Sequence, residues 1–155
     1  MGDVPGDALT ACVGRAAVML PVADFPESRL GRLCWVWLPA VAAMVAIFWV
    51  SAVPDLAAPP GGMSDKTGHF LAYGLLGGLC LRAVTAARWQ QVTPTRAAVS
   101  WALAAVYGVT DEIHQSFVPG RTPAFDDWVA DASGAALVIG LLLAAATGLR
   151  QDRKV

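Results

Sequence analysis

The sequence predicts an all-α integral membrane bundle of four transmembrane helices, with both termini on the cytoplasmic side. Three observations carry that expectation. Of the 155 residues, 56% are hydrophobic and only 15% charged, against roughly 45–50% and about 25% in soluble domains. The apolar excess is collected into four blocks rather than spread as a soluble pattern. Lysine and arginine alternate 3, 1, 3, 1, 3 along the tails and connections, accounting for the 11 basic residues of the chain.

Residues 1–32 are mixed in character, and "RAAVML" within them is too short to span, so this part reads as a disordered or interfacial tail. The domain proper is 33–149. Its first block, 33–53, is "LCWVWLPAVAAMVAIFWVSAV", without a charge and interrupted only by Pro39, which membrane helices tolerate. Its apolar length exceeds the roughly 7–15 residues of a signal-peptide core, and Pro54 suits a cleavage site poorly, so a retained helix is expected. "PDLAAPPGGMSD" is a Pro/Gly loop. The second span is 68–87, with Arg82 near its end, placed to snorkel. "RWQQVTPT" leads to the third span, 97–118, and "VPGRTP" to the fourth, 128–149; residues 150–155 form a short tail. Arg15, Arg29 and Arg32, then Arg82, Arg88 and Arg96, then Arg150, Arg153 and Lys154 mark the cytoplasmic side. Lys66 and Arg121 stand alone in the loops that face outward.

The third span raises a chemical question. Its uncharged part, Ala97 to Thr110, covers only about 21 Å of a hydrocarbon core roughly 30 Å thick. To cross, the helix must continue through "DEIHQSFV", which puts Asp111 to Gln115 inside the outer leaflet. By the i, i+3, i+4 rule, Asp111, His114 and Gln115 share a face, as do Asp127 and Asp131, and Asp65, His69 and Tyr73. Ionisable groups at that depth are expected to face one another or a wet cavity, and such a cluster is a functional-site hypothesis by default.

Each residue has two readings. Asp111, Glu112, His114 and Asp127 are the candidate catalytic groups, with Asp111 expected to accept a hydrogen bond from the His114 ring. The plainer reading is a set of polar pairs that lock the bundle, with Asp127 and Asp131 favoured by a helix N-terminus. Asp65, Lys66, His69, Tyr73, Gln115, Arg121 and Asp131 are candidate substrate-binding groups. Lys66 and Arg121 suit a phosphate or pyrophosphate, or else neutralise the surrounding carboxylates. Cofactors stay undetermined. A divalent metal held by His114 beside His69 is one option, although no HExxH or comparable spacing supports it. Gly74, Gly77, Gly78 and Gly134 read as surfaces for close helix approach, and Trp35, Trp37, Trp49, Trp89 and Trp128 as interfacial anchors. Cys12, Cys34 and Cys80 match no metal or disulfide spacing.

Taken together, "DKTGHFLAYGLLG", "DEIHQSFVPGR" and "DDWVADASGA" resemble the VanZ-like membrane proteins, over about residues 45 to 145. "SAVP", Ser51 to Pro54, resembles the end of that family's first helix. Pro123-Ala124 stands where serine is common in the family, and Asp131 where asparagine is common. The resemblance implies a bacterial membrane protein of a family associated with resistance to the glycopeptide teicoplanin. It brings no established reaction and no catalytic residues.

Three function classes follow. The first is an enzyme acting on a lipid-linked envelope substrate at the outer leaflet. The second is a non-catalytic protein that binds an envelope lipid or antibiotic, or scaffolds a partner. The third, an ion- or proton-coupled transporter, is disfavoured by four short helices without discontinuous repeats. The expected partner is membrane lipid in the bacterial cytoplasmic membrane. No basic stripe points to nucleic acid, and the oligomeric state is open.

Overall fold

The computed structural model describes residues 28–54 and 64–152. The expected N-terminal tail up to residue 27, Cys12, most of the Pro/Gly loop and the last three residues lie outside them. The described residues form four helices, α1 (Arg29–Ser51), α2 (Asp65–Val84), α3 (Pro94–Gln115) and α4 (Phe125–Asp152), with a short 3-10 turn at Trp89–Gln91 and no strand.

Local chemistry sets the ends. Ser28 caps α1 by accepting from the Gly31 amide, and Ser64 caps α2 by accepting from Thr67. Thr93 accepts from the Arg96 amide, with Pro94 at the first helical position, where its missing N–H costs nothing. This cap starts α3 three residues before the expected 97, because a polar first turn is invisible to a hydrophobicity count. The helix continues through Asp111 and ends at Gln115, short of the expected 118. The chain then turns at Val118–Arg121, where the Arg121 amide donates to the Val118 carbonyl and Gly120 has φ 78°. The left-handed value at Gly120 suits a residue without a Cβ.

Two helices, α1 and α4, are long and apolar enough to cross a membrane. Both leave large apolar side chains bare, among them Leu38 at 65%, Trp49 at 68% and Leu141 at 62% exposure. An apolar surface of that extent marks a face that meets lipid or another protein. α2 and α3 are the central pair against which α1 and α4 pack.

The closest approach is between α2 and α4. A Cβ on Gly134 would lie 2.0 Å from the Phe70 carbonyl oxygen, and one on Gly77 would lie 2.9 Å from Cα of Ala135. Small residues thus bring the two backbones together, as expected where lipid removes the hydrophobic drive to associate. Indole N–H groups tie α3 to α4: Trp101 donates to the Ala132 carbonyl and Trp128 to the Ala105 carbonyl. Trp128 is therefore an internal clamp as well as a residue near the end of the bundle.

Pro39 has a consequence for the second helix. Lacking an N–H, it leaves the Trp35 carbonyl without its intrahelical donor. Arg82 of α2 donates to that oxygen at 3.1 Å and to the Val36 carbonyl at 2.8 Å, with its guanidinium 5.7 Å from the Trp35 ring centroid. The expected snorkelling of Arg82 is thus replaced by a helix-to-helix contact, because the proline-freed carbonyl is the nearer acceptor.

Candidate functional site at one end of the bundle

The antiparallel order gathers the C-terminal ends of α1 and α3 with the N-terminal ends of α2 and α4. All eleven candidate residues fall at this end or in the turn beside it. Arg29, Arg32, Arg82, Arg88, Arg96 and Arg150 lie at the opposite end.

A cleft of about 320 Å³ opens between α1, α2 and α3. Its polar end is lined by Asp65, His69, Tyr73, Asp111, Gln115 and Arg121. Its other wall is apolar, from Ala43, Ala46, Ile47 and Val50 of α1 and Ala72 and Leu75 of α2. Leu75 and Val50 are exposed on the outside of the bundle, so the apolar wall runs out to the lateral surface.

Within the polar end, Asp111 is almost fully buried. Its Oδ2 accepts from Ser51 Oγ at 3.0 Å and from Gln115 Nε2 at 3.2 Å. Ser51, absent from the candidates read from the sequence, is the α1 contribution to the site. The only signal for it was the "SAVP" resemblance, because a serine closing an apolar helix otherwise looks incidental. Arg121, in the loop before α4, reaches back to the Val50 carbonyl at 3.4 Å and to Asp65 Oδ2 at 4.0 Å.

Asp131 is fully buried on α4. Its Oδ1 lies 3.0 Å from Nδ1 of His69 on α2. The His69 and Tyr73 rings stack at 6.4 Å, and Tyr73 packs on Tyr107, whose hydroxyl donates to the Met44 carbonyl of α1. Glu112 accepts the Ala124 amide through Oε2 at 2.8 Å, placing its carboxylate at the N-terminal end of α4. At the rim, Lys66 pairs with Asp126 at 3.2 Å and with Asp127 at 3.4 Å. Desolvation lowers its pKa, but the bonds and charges of Asp126 and Asp127 outweigh this and hold it above the ordinary lysine value.

One expectation is corrected. His114 does not bond to Asp111, whose partners are Ser51 and Gln115. Its ring stacks on Phe48 of α1, with centroids 4.1 Å apart and planes at 26°. The rotation of α3 turns Asp111 and Gln115 inward and carries His114 towards α1. Nor is His114 in either group able to hold a metal among the described residues. Those groups are Asp65, His69 and Asp127, and His69, Glu112 and Asp131, each with one donor atom per residue and all donors within 4.8 Å of one another. The histidine that meets a carboxylate is His69.

Several buried polar atoms at this end have no hydrogen-bond partner: Tyr73 Oη, Asp111 Oδ1, Glu112 Oε1, His114 Nε2, Arg121 Nε and Asp131 Oδ2. Buried polar groups in folded proteins are nearly always paired, so a concentration of exceptions makes this end of the bundle the candidate site.

Fold and site together define a helical membrane protein with a polar cluster buried at one end of its bundle. The chain belongs to the VanZ/LLP1 family, whose model matches residues 27–146. No curated protein and no solved structure matches it.

Proposed function

We propose that this protein is a multi-pass protein of the bacterial cytoplasmic membrane that binds a lipid-linked cell-envelope precursor at the outer leaflet. In this reading all four helices cross, both termini are cytoplasmic, and the polar end faces outward. The separation of six arginines from the polar end supports that orientation.

The observation that carries the reading is the two-part cleft, apolar towards the lateral surface and polar at its inner end. A molecule suited to it has a hydrocarbon chain that lies along Ile47 and Leu75 and a head group that meets both cationic and acceptor groups. Arg121 suits a phosphate. The unpartnered Asp111 Oδ1 suits a hydroxyl or amide donor. A polyprenyl phosphate carrying sugar combines the two. Sequestering or altering such a precursor at the outer leaflet would connect the protein to glycopeptide tolerance, since glycopeptides act on envelope precursors there. His69, Tyr73 and Gln115 contact the head group in this reading, while Lys66, Glu112 and Asp127 hold the entrance to α4.

The test is photocrosslinking in lipid nanodiscs with a photoreactive polyprenyl phosphate. Labelling should concentrate on α1 and α2 around Ile47 and Leu75, and fall with Ile47→Trp, which fills the cleft. Labels spread evenly over the outer face of α4, at Leu137 and Leu141, would refute specific binding. Product formation from a polyprenyl-linked saccharide in the same preparation would make the protein an enzyme; its absence leaves a binding protein.

A further inference from the structure

We propose that His69, Glu112 and Asp131 form a binding site for a divalent transition cation of the Zn²⁺ or Mn²⁺ type. The inference adds to the lipid reading and does not depend on it, because it rests on the cluster alone.

The three residues come from three helices, α2, α3 and α4, and offer donor atoms within 4.8 Å of one another. Two carboxylate oxygens in the cluster, Asp131 Oδ2 and Glu112 Oε1, are buried and have no hydrogen-bond partner, and Asp131 itself is 0% exposed. Asp131 Oδ1 meets His69 and Glu112 Oε2 meets the Ala124 amide, so it is the second oxygen of each that is left. A buried carboxylate oxygen without a partner is costly unless a donor or cation meets it. The nearby cations are committed elsewhere, Lys66 to Asp126 and Asp127 at the rim, and Arg121 towards Asp65 and the Val50 carbonyl.

The spacing is compatible with a shared ion. Bonds of about 2.0–2.2 Å place neighbouring ligand atoms of one Zn²⁺ roughly 3–3.5 Å apart. His69 Nδ1 and Asp131 Oδ1 already lie 3.0 Å apart. Glu112, whose Oε2 accepts the Ala124 amide, offers a donor within 4.8 Å of the other two. One imidazole with two carboxylates suits Zn²⁺ or Mn²⁺ better than an all-oxygen Mg²⁺ cage. Three protein ligands leave positions open, which water or a phosphate oxygen fills. The alternative group of Asp65, His69 and Asp127 is the weaker one, since Asp65 is exposed and Asp127 is held by Lys66.

The experiment uses the full chain in detergent, stripped with chelator and without added lipid, titrated with ZnCl₂ and separately with MnCl₂. Bound metal is counted by elemental analysis, affinity is read by calorimetry, and the melting temperature is followed. One equivalent per chain and a metal-dependent rise in melting temperature are expected for the wild type. Glu112→Gln and His69→Gln should weaken binding by at least about 10-fold and abolish the thermal shift, while Asp65→Asn and His114→Gln leave both unchanged. Folded wild type that binds neither metal would overturn the proposal, whether or not any variant folds. So would equal binding by wild type and every variant, or loss of binding in Asp65→Asn with Glu112→Gln unaffected. Because no lipid is present, metal binding without polyprenyl crosslinking would sink the lipid reading alone, and the converse result would sink this one alone.

Discussion

His69 Nδ1 and Asp131 Oδ1 meet at 3.0 Å across the α2–α4 contact, where Gly134 brings the two backbones together. The pair lies inside the bundle, with the Asp131 side chain fully buried and that of His69 at 10% exposure. Removing either member strands the other. Asp131→Ala and His69→Ala should each lower stability by about 1–3 kcal/mol. The double variant should lose less than the sum, with a coupling of about 0.5–3 kcal/mol. Thermal or denaturant unfolding in detergent reads the cycle, and additive losses would mean that the contact contributes nothing.

Gly134 supplies the second expectation. Its added Cβ would fall 2.0 Å from the Phe70 carbonyl oxygen, whereas an added Cβ at Gly140 meets nothing within 4 Å. Gly134→Ala should force α2 and α4 apart and cost at least about 1–3 kcal/mol, while Gly140→Ala should melt like wild type. Comparable melting of the two variants would show that the helices do not approach this closely.

The contact of Arg82 with α1 should depend on Pro39. Arg82→Met removes the donor to the Trp35 carbonyl and should destabilise by about 1–3 kcal/mol. In a Pro39→Ala background the Trp35 oxygen regains a backbone donor, so the same Arg82→Met change should cost measurably less. An Arg82→Met penalty that is identical in both backgrounds would leave the proline without a role in this contact.

His114 should behave as a packing residue. Its ring lies on Phe48 rather than against Asp111. His114→Phe preserves a stack and should retain both the fold and polyprenyl labelling, while His69→Gln retains the fold and loses labelling. Loss of labelling by folded His114→Phe would restore His114 to the functional site.

Orientation is accessible to cysteine labelling. In a background without Cys12, Cys34 and Cys80, Pro119→Cys should react with an impermeant maleimide on intact cells, and Gln90→Cys only after permeabilisation. The reverse pattern would move the polar end to the cytoplasmic side.

Much of this protein was legible before any fold was considered. Apolar blocks identified the helices, because a buried or lipid-facing segment is apolar along most of its span, although only α1 and α4 are long and apolar enough to cross a membrane among the described residues. Helical periodicity placed Asp65 with His69 and Tyr73, and Asp111 with Gln115, because residues three and four apart share a face whatever surrounds the helix. The depth estimate for α3 required the helix to continue through residues 111–118; it runs on through Asp111 but ends at Gln115. What periodicity cannot supply is the rotation of one helix against another. That is set by which small residues meet, here Gly134 against the Phe70 backbone and Gly77 against Ala135. Only the tertiary structure therefore decided that Asp131 meets His69, that Asp111 meets Ser51, and that His114 turns to Phe48. The sequence determined which residues are polar within an apolar chain and at which end they gather. Packing of the backbones determined which of them touch, because a contact between helices depends on two rotations and a register that no single helix encodes.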